Sequence, residues 1–247
     1  KILCCGGDGT CCWVLGVLDE MKWPAPYPPI AILPLGTGND LSRALGWGPG
    51  YRDEPLSPFL KKLNQAVVMS LDRWKVWYLP ASIDDDQQPN DMPNDPAVTS
   101  VTMNNYWSIG VDAKVALDFH RKREENPGLF MNRTINKGWY GFYGMKEMGG
   151  QDPINRHVTL YLDGEEVPIS DSMEGIIVLN IQSYAGGCDL WGAANSNQFR
   201  KPSMSDGYLE VVGIKGTFHM AKIQTGQARA KRIGQVRQLI LFYLSES

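Results

Sequence analysis

Two short apolar runs, each ending in a glycine-rich turn that contains an aspartate, constrain this chain more than any other feature. Ile2-Leu3-Cys4-Cys5 leads into Gly6-Gly7-Asp8-Gly9-Thr10, and Ile30-Ala31-Ile32-Leu33 leads into Pro34-Leu35-Gly36-Thr37-Gly38-Asn39-Asp40. Apolar runs of this length without alternation suit strands covered on both faces. After the first turn, Trp13, Val14, Val17, Leu18 and Met21 fall on one helical face. After the second, Leu41, Ala44 and Leu45 predict a short helix. A strand, glycine turn and helix unit is therefore used twice.

Such turns let backbone N–H groups approach phosphate oxygens, and the helix N-terminus behind each adds partial positive charge. A carboxylate in the same turn repels phosphate unless a cation lies between them. Magnesium, which takes oxygen ligands and shares phosphate coordination, resolves that conflict. Two simpler readings stand beside this one: Asp40 as the N-cap of its helix, and Asp8 as a turn residue.

Beyond Asp72 the pattern changes from alternating α and β to mostly strands. Strands are expected at Trp74, Val76 and Tyr78, at Val98 to Met103, His157 to Leu162, Gly175 to Ile181, Tyr208 to Ile214 and Gln238 to Leu244. Helices are expected over Val111 to Arg123, Ile135 to Met148 and Phe218 to Ile233. The stretch Asp84 to Pro96 has five aspartates, three prolines and one apolar side chain, and is expected to be a flexible surface insertion. The fold class is thus α/β: a layer of strand, glycine turn and helix units over residues 1–72, then a β-rich second domain with helices over 73–247; the family resemblance set out next implies that the first is a nucleotide-binding domain, N-terminally incomplete, and the second sandwich-like.

The glycine strings resemble the two nucleotide motifs of the diacylglycerol kinase family, at a similar separation. Asn104-Asn105-Tyr106-Trp107-Ser108-Ile109-Gly110-Val111-Asp112-Ala113, Leu179 to Gly187 (LNIQSYAGG), Asp118-Phe119-His120-Arg121 and Leu190-Trp191-Gly192 are similar to strings of its accessory domain. The resemblance, closer to eukaryotic members, implies a nucleotide domain like those of NAD kinase and phosphofructokinase, with the active site in the cleft beside the accessory domain. It implies ATP cradled by Gly6, Gly7, Gly9, Thr10, Gly36, Thr37, Gly38 and Asn39, and catalytic Mg2+ organised by Asp8 and Asp40. Asp8 is also the residue expected to orient or deprotonate the attacking hydroxyl. A second, structural magnesium is implied at Asp206 with Ser203 and Tyr208, against the plain alternative of an Asp-Gly turn before a strand. The expected substrate is diacylglycerol in membranes; kinases of the same superfamily acting on sphingosine, ceramide or NAD, or an inactive lipid-binding fragment, are the alternatives.

The chain departs from the family pattern at both ends. It begins directly at the first glycine strand, and Leu239 to Ser247 (LILFYLSES) stands where members carry an Asp-Gly-Glu-Pro string, so a truncated piece is expected. A net charge of −3 and a pI near 5.7 argue against nucleic acid as partner. No apolar run is long enough to span a bilayer, and five cysteines do not suggest a disulfide framework. A cytoplasmic protein with peripheral membrane association is expected. The acid-free stretch Lys215 to Arg237 supplies a candidate basic helical face toward anionic lipid, with a plain solvated helix face as the alternative. Cys4, Cys5, Cys11 and Cys12 are expected to be small buried thiols beside the first turn, and the aromatics Trp139, Tyr140, Phe142 and Tyr143 to be core or a lipid path.

Overall fold

The computed structural model describes residues 1–80, 97–125, 152–193 and 198–243. The insertion 84–96, the helix expected over 135–148 and its aromatics lie outside the described residues. The first layer is a parallel pair, β1 (Ile2–Gly6) and β2 (Ile30–Pro34), with α1 (Asp8–Glu20) and α2 (Asp40–Ala44) leaving their carboxyl ends. A further helix, α3 (Leu56–Gln65), lies outside the expected elements, although Leu56, Phe59, Leu60 and Leu63 fall at helical spacing.

The rest of the described chain is β-rich. β3 (Trp74–Tyr78) pairs antiparallel with β4 (Thr99–Met103). β5 (Tyr106–Gly110) leads into α4 (Val111–Glu125). Then come β6 (Val158–Leu162), β7 (Glu165–Val167), β8 (Gly175–Leu179), β9 (Leu209–Ile214), α5 (Thr217–Gln224), β10 (Lys231–Val236) and β11 (Leu239–Tyr243). They form a four-stranded sheet of order β10-β9-β8-β5 and a three-stranded sheet of order β11-β6-β7.

β8 and β9 are buried along their whole length, which explains why their sequences do not alternate: both faces are covered. Ile176, Val178, Leu209 and Val211 face Val158, Leu160 and Leu162 of the three-stranded sheet. Ile177, Leu179, Val212 and Ile214 pack against Tyr184, Leu190, Trp191 and Ile223. A third cluster joins the halves, because Ile181 packs with Cys4, Cys11, Ile32 and Leu41, and Met204 lies against it. At the far end of α1, Arg73 donates to both oxygens of Asp19 at 2.8 and 2.6 Å, and its guanidinium holds that carboxyl below the usual range.

Two expectations are corrected. The helix predicted over Phe218 to Ile233 stops at Gln224: Gly226 takes a positive φ of 75°, and the chain then turns into β10. The basic stretch is therefore no single helical face. Its Arg232 donates to the carbonyls of Trp191 and Ala193 at 2.8 and 2.7 Å and so braces a loop. The four cysteines near the first turn also divide by face: Cys4 and Cys11 are buried with sulfurs 3.3 Å apart, whereas Cys5 is exposed and Cys12 partly so. Alternation along β1 sends Cys4 and Cys5 to opposite faces.

Glu210, 2% exposed near the start of β9, pairs across the sheet with Gln235, whose amide donates to it at 3.0 Å. Burial pushes its carboxyl up to about 7. The neutral form suits the fold, so its contribution is complete at acid pH and is lost as pH rises from the ordinary glutamate value through about 7. Glu210→Gln is expected to stabilise the protein at pH 8 by up to ~3 kcal/mol, with the difference fading below the ordinary glutamate pKa. Chemical denaturation at about pH 5 and about pH 8 measures it.

Candidate active site

The two glycine turns touch each other. Gly7, in extended conformation before α1, lies so close to Gly36 that a Cβ on Gly36 would stand 2.5 Å from the Gly7 Cα. Neither position tolerates a side chain without spreading the turns. The second turn is closed by Asn39, which sits in the left-handed region with φ 54°. Its side-chain oxygen accepts from the Gly36 N–H at 2.8 Å, and its amide donates to the carbonyls of Gly36 and Pro49 at 2.8 and 2.9 Å. At 1% exposure, the Asn39 side chain shapes the loop, with both amide hydrogens already engaged.

Asp8 is the first residue of α1, yet its carboxylate serves the other helix. Oδ2 accepts the Asp40 N–H and Oδ1 the Leu41 N–H, both at 2.9 Å. Those N–H groups belong to the first turn of α2, where no intrahelical acceptor exists and a negative charge is favoured. Asn39, the residue in the N-cap position, makes no side-chain cap; Asp8 supplies it from 32 residues away. Each Asp8 oxygen retains capacity for a further contact, and the residue is partly exposed. Gly9 and Thr10, exposed in the first turn of α1, carry N–H groups that precede the first helical bond, from Cys11 N–H to the Gly7 carbonyl at 3.2 Å.

Asp40 does not cap its own helix through its side chain. It is 1% exposed and accepts from four donors of the second half of the chain: the Ser183 hydroxyl at 2.6 Å, the Gly186 N–H at 3.0 and 3.1 Å, the Gly187 N–H at 3.1 Å and the Tyr106 hydroxyl at 3.2 Å. Ala185, Gly186 and Gly187 all have positive φ, at 48, 92 and 114°, so successive N–H groups converge as an anion-binding concavity. The anion in it is the Asp40 carboxylate. Both aspartates still face one small space, since Asp40 Oδ2 and Asp8 Oδ2 lie 3.0 and 3.8 Å from the point where a Gly38 Cβ would stand.

Behind Asp40 stands a second layer. The Tyr106 ring packs on that of Tyr184 with centroids 4.7 Å apart, and the Tyr184 hydroxyl donates to Asp112 in the first turn of α4. Burial raises the Asp112 carboxyl above the usual aspartate range, against the opposing hydrogen bonds from Tyr184 and Ser108. Asn180 locks the junction of the halves: its amide donates to the carbonyls of Asp72 and Asn104 at 2.8 and 2.7 Å, and its oxygen accepts from the Trp74 indole at 2.9 Å. Tyr106, Asp112, Asn180 and Ser183 lie in strings singled out from the sequence, but no spacing rule assigns them to Asp40 or to the junction.

The residues expected to form a second metal site serve a turn. Asp206 Oδ1 accepts the Tyr208 N–H at 3.1 Å, and Ser203 bonds Ser205. Among the described residues, no group of three or more His, Cys, Asp or Glu side chains is arranged to hold a metal.

This geometry coincides with sequence patterns of known proteins. The pattern of the diacylglycerol kinase catalytic domain matches residues 1–71, and that of the diacylglycerol kinase accessory domain matches residues 102–246. The chain belongs to the diacylglycerol kinase family. It is 43% identical to diacylglycerol kinase theta of Mus musculus over 237 residues, covering 95% of this chain and 25% of that protein. It is 42% identical to the eye-specific diacylglycerol kinase of Drosophila melanogaster, covering 92% of this chain and 16% of the relative. The chain thus spans a quarter or less of the length of these relatives. A crystal structure of a diacylglycerol kinase from Bacillus anthracis str. Sterne superposes with a TM-score of 0.50 at 17% identity, covering 98% of this chain and 65% of that one; another from the same organism gives 0.55 at 18%. At that identity the likeness concerns the fold, which is the expected α/β architecture of a diacylglycerol kinase. No helix among the described residues is long and apolar enough to cross a membrane.

Removing the Asp40 carboxylate strands four donors in a dry junction. Asp40→Ala is expected to destabilise the protein by about 3–5 kcal/mol, a loss that urea unfolding reads directly and that a surface aspartate would not give.

Proposed function

We propose that this chain is the phosphotransfer core of a lipid kinase that moves the terminal phosphate of ATP onto the free hydroxyl of diacylglycerol, giving phosphatidate and ADP. The carrying observation is the pairing of the two glycine turns through Asp8, which leaves a partly exposed carboxylate with spare lone pairs beside the open first-turn N–H groups of α1. Membership of the diacylglycerol kinase family supports the choice of donor and acceptor.

In this reading the N–H groups of Gly9 and Thr10, with the backbone of the second turn, bind the phosphates of ATP. Asp8 fits a magnesium ion, because that ion is commonly held by one or two carboxylates with phosphate oxygens and water completing its shell. Bound there, Mg2+ would neutralise charge on the transferring phosphate. Asp8 also accepts the hydrogen bond of the attacking hydroxyl and so directs it at the phosphorus. Asp40, whose oxygens already serve four donors, acts as a positioning residue that sets the second turn against the accessory half. Transfer through a loose transition state asks the protein for alignment and charge balance more than covalent chemistry. Access to a lipid acceptor implies peripheral contact with a membrane surface.

Labelled ATP, magnesium and diacylglycerol micelles test the proposal. Labelled phosphatidate should appear, and Asp8→Asn should lower the rate by ~10²-fold or more while the fold persists. The carboxamide that this substitution introduces can accept only one of the two N–H bonds through its oxygen, so circular dichroism and thermal unfolding of the variant belong to the assay. A rate no higher than that of the variant, or a preference for sphingosine, ceramide or NAD as acceptor, would overturn the assignment.

A further inference from the structure

The stretch from Lys215 to Arg237 has no acidic residue, in a chain whose net charge is −3. One of its cations, Arg232, braces a loop; Lys215 and Lys222 are exposed at α5. That helix has two sides. Met220 and Ile223 turn inward and pack with the second core cluster. Phe218, two residues before Met220, stands on the opposite side of the helix and is 57% exposed, although its ring has no polar group to offer water.

Cations gather around that ring. Lys222, four residues on and on the same side of the helix, holds its ammonium 4.4 Å from the ring centroid. The Lys215 N–H donates to His219 Nδ1 at 3.0 Å, which ties the residue before the helix to its first turn. His219 Nε2 lies 3.1 Å from the Arg229 carbonyl, so the imidazole is neutral with its proton on Nε2. Burial, opposed by that carbonyl and aided by the Lys215 and Lys222 charges, holds the His219 pKa below the ordinary histidine value. Both lysines therefore lie close to one imidazole. Among the described residues, neither ammonium has a carboxylate within ion-pair distance. Glu174, whose carboxylate lies against Gly216 at the start of the helix, pairs with neither.

We propose that the outer side of α5 docks this chain on an anionic membrane surface, with Phe218 as the apolar contact and Lys215 and Lys222 as the cationic ones. The ring enters the boundary between head groups and acyl chains, and the ammonium groups stay at the level of the lipid phosphates and carboxylates. Charge and apolar surface together select this occupant. A soluble polyanion would meet the lysines and leave the ring in water, whereas a neutral bilayer would take the ring and leave the ammonium groups without counter-charges. The inference deepens the lipid kinase reading and rests on it, because an acceptor held in a bilayer requires the enzyme to sit at that bilayer.

Co-flotation without ATP tests the surface by itself. The probes are vesicles of phosphatidylcholine and vesicles of equimolar phosphatidylcholine and phosphatidylserine. Phosphatidylserine is neither acceptor nor product of the proposed reaction, so its capture reads the docking surface and not the transfer centre. The chain should float with the mixed vesicles and not with phosphatidylcholine alone, and added salt should release it. The double variant Lys215→Gln/Lys222→Gln should weaken binding about thirtyfold, and Phe218→Ser about fivefold. Lys215→Arg/Lys222→Arg and Phe218→Trp should retain it, since they keep the charge and the interfacial ring. All three side chains lie at the surface, and unchanged unfolding curves verify that the variants fold. The weakened variants should also lose rate on diacylglycerol embedded in mixed vesicles while keeping the parent rate on a short-chain diacylglycerol in solution. Failure of the kinase reading would abolish both rates and leave flotation intact. Equal flotation with the two kinds of vesicle, flotation with neither, or flotation unchanged by the double glutamine variant or by Phe218→Ser would overturn the proposal.

Discussion

The Asp40 carboxylate is the point on which the two halves of this protein meet. It is buried, it belongs to the second glycine turn, and the donors around it come from the β-rich half. A buried carboxylate is tolerated only when its charge is met by hydrogen bonds of good geometry. Here the requirement is met by a hydroxyl, a phenol and two N–H groups converging from a left-handed Ala-Gly-Gly turn. The relative position of the glycine turns and the β-rich half therefore depends on a charge that would be costly if either side moved away.

Asp8 extends the same logic within the parallel two-stranded layer. Two adjacent helices begin at the carboxyl ends of two parallel strands, and each has N–H groups without an internal acceptor. One carboxylate caps α2 from the start of α1, while the first residues of α1 itself stay open to solvent. The two termini differ: one is satisfied by the protein, and the neighbouring one stays open. Close backbone contact of Gly7 with Gly36 makes the arrangement possible, because a methyl group at either position would separate the turns.

The β-rich half serves as the platform for this junction. β8 and β9 are covered on both faces, so the segments that follow β8 start from a rigid base. Asn180 and Ser183 lie just beyond the end of β8, and both engage the first half, through Asp72 and Asp40 respectively. Tyr184 returns into the second core cluster while reaching Asp112. Packing and polar contacts thus alternate along a few residues, which transmits the position of the sheet to the turn that holds Asp40.

The sequence alone determined the local units: two apolar runs ending in glycine turns, the strand expected over His157 to Leu162, and the strands at Gly175 to Ile181 and Tyr208 to Ile214. Those features follow from spacing and from the conformations glycine allows, which are properties of neighbours along the chain. Local pattern misled where a single residue outweighed it, as when Gly226 ended a helix whose apolar spacing continued and released Lys231–Val236 into the sheet. It also singled out both aspartates in the glycine turns without dividing their work. That division was decided only by tertiary structure, because the partners of Asp40 lie up to 147 residues away and those of Asp8 lie 32 and 33 residues away. A carboxylate looks the same in sequence whether its lone pairs are filled or open; only the donors brought around it by folding make one aspartate a junction and leave the other available.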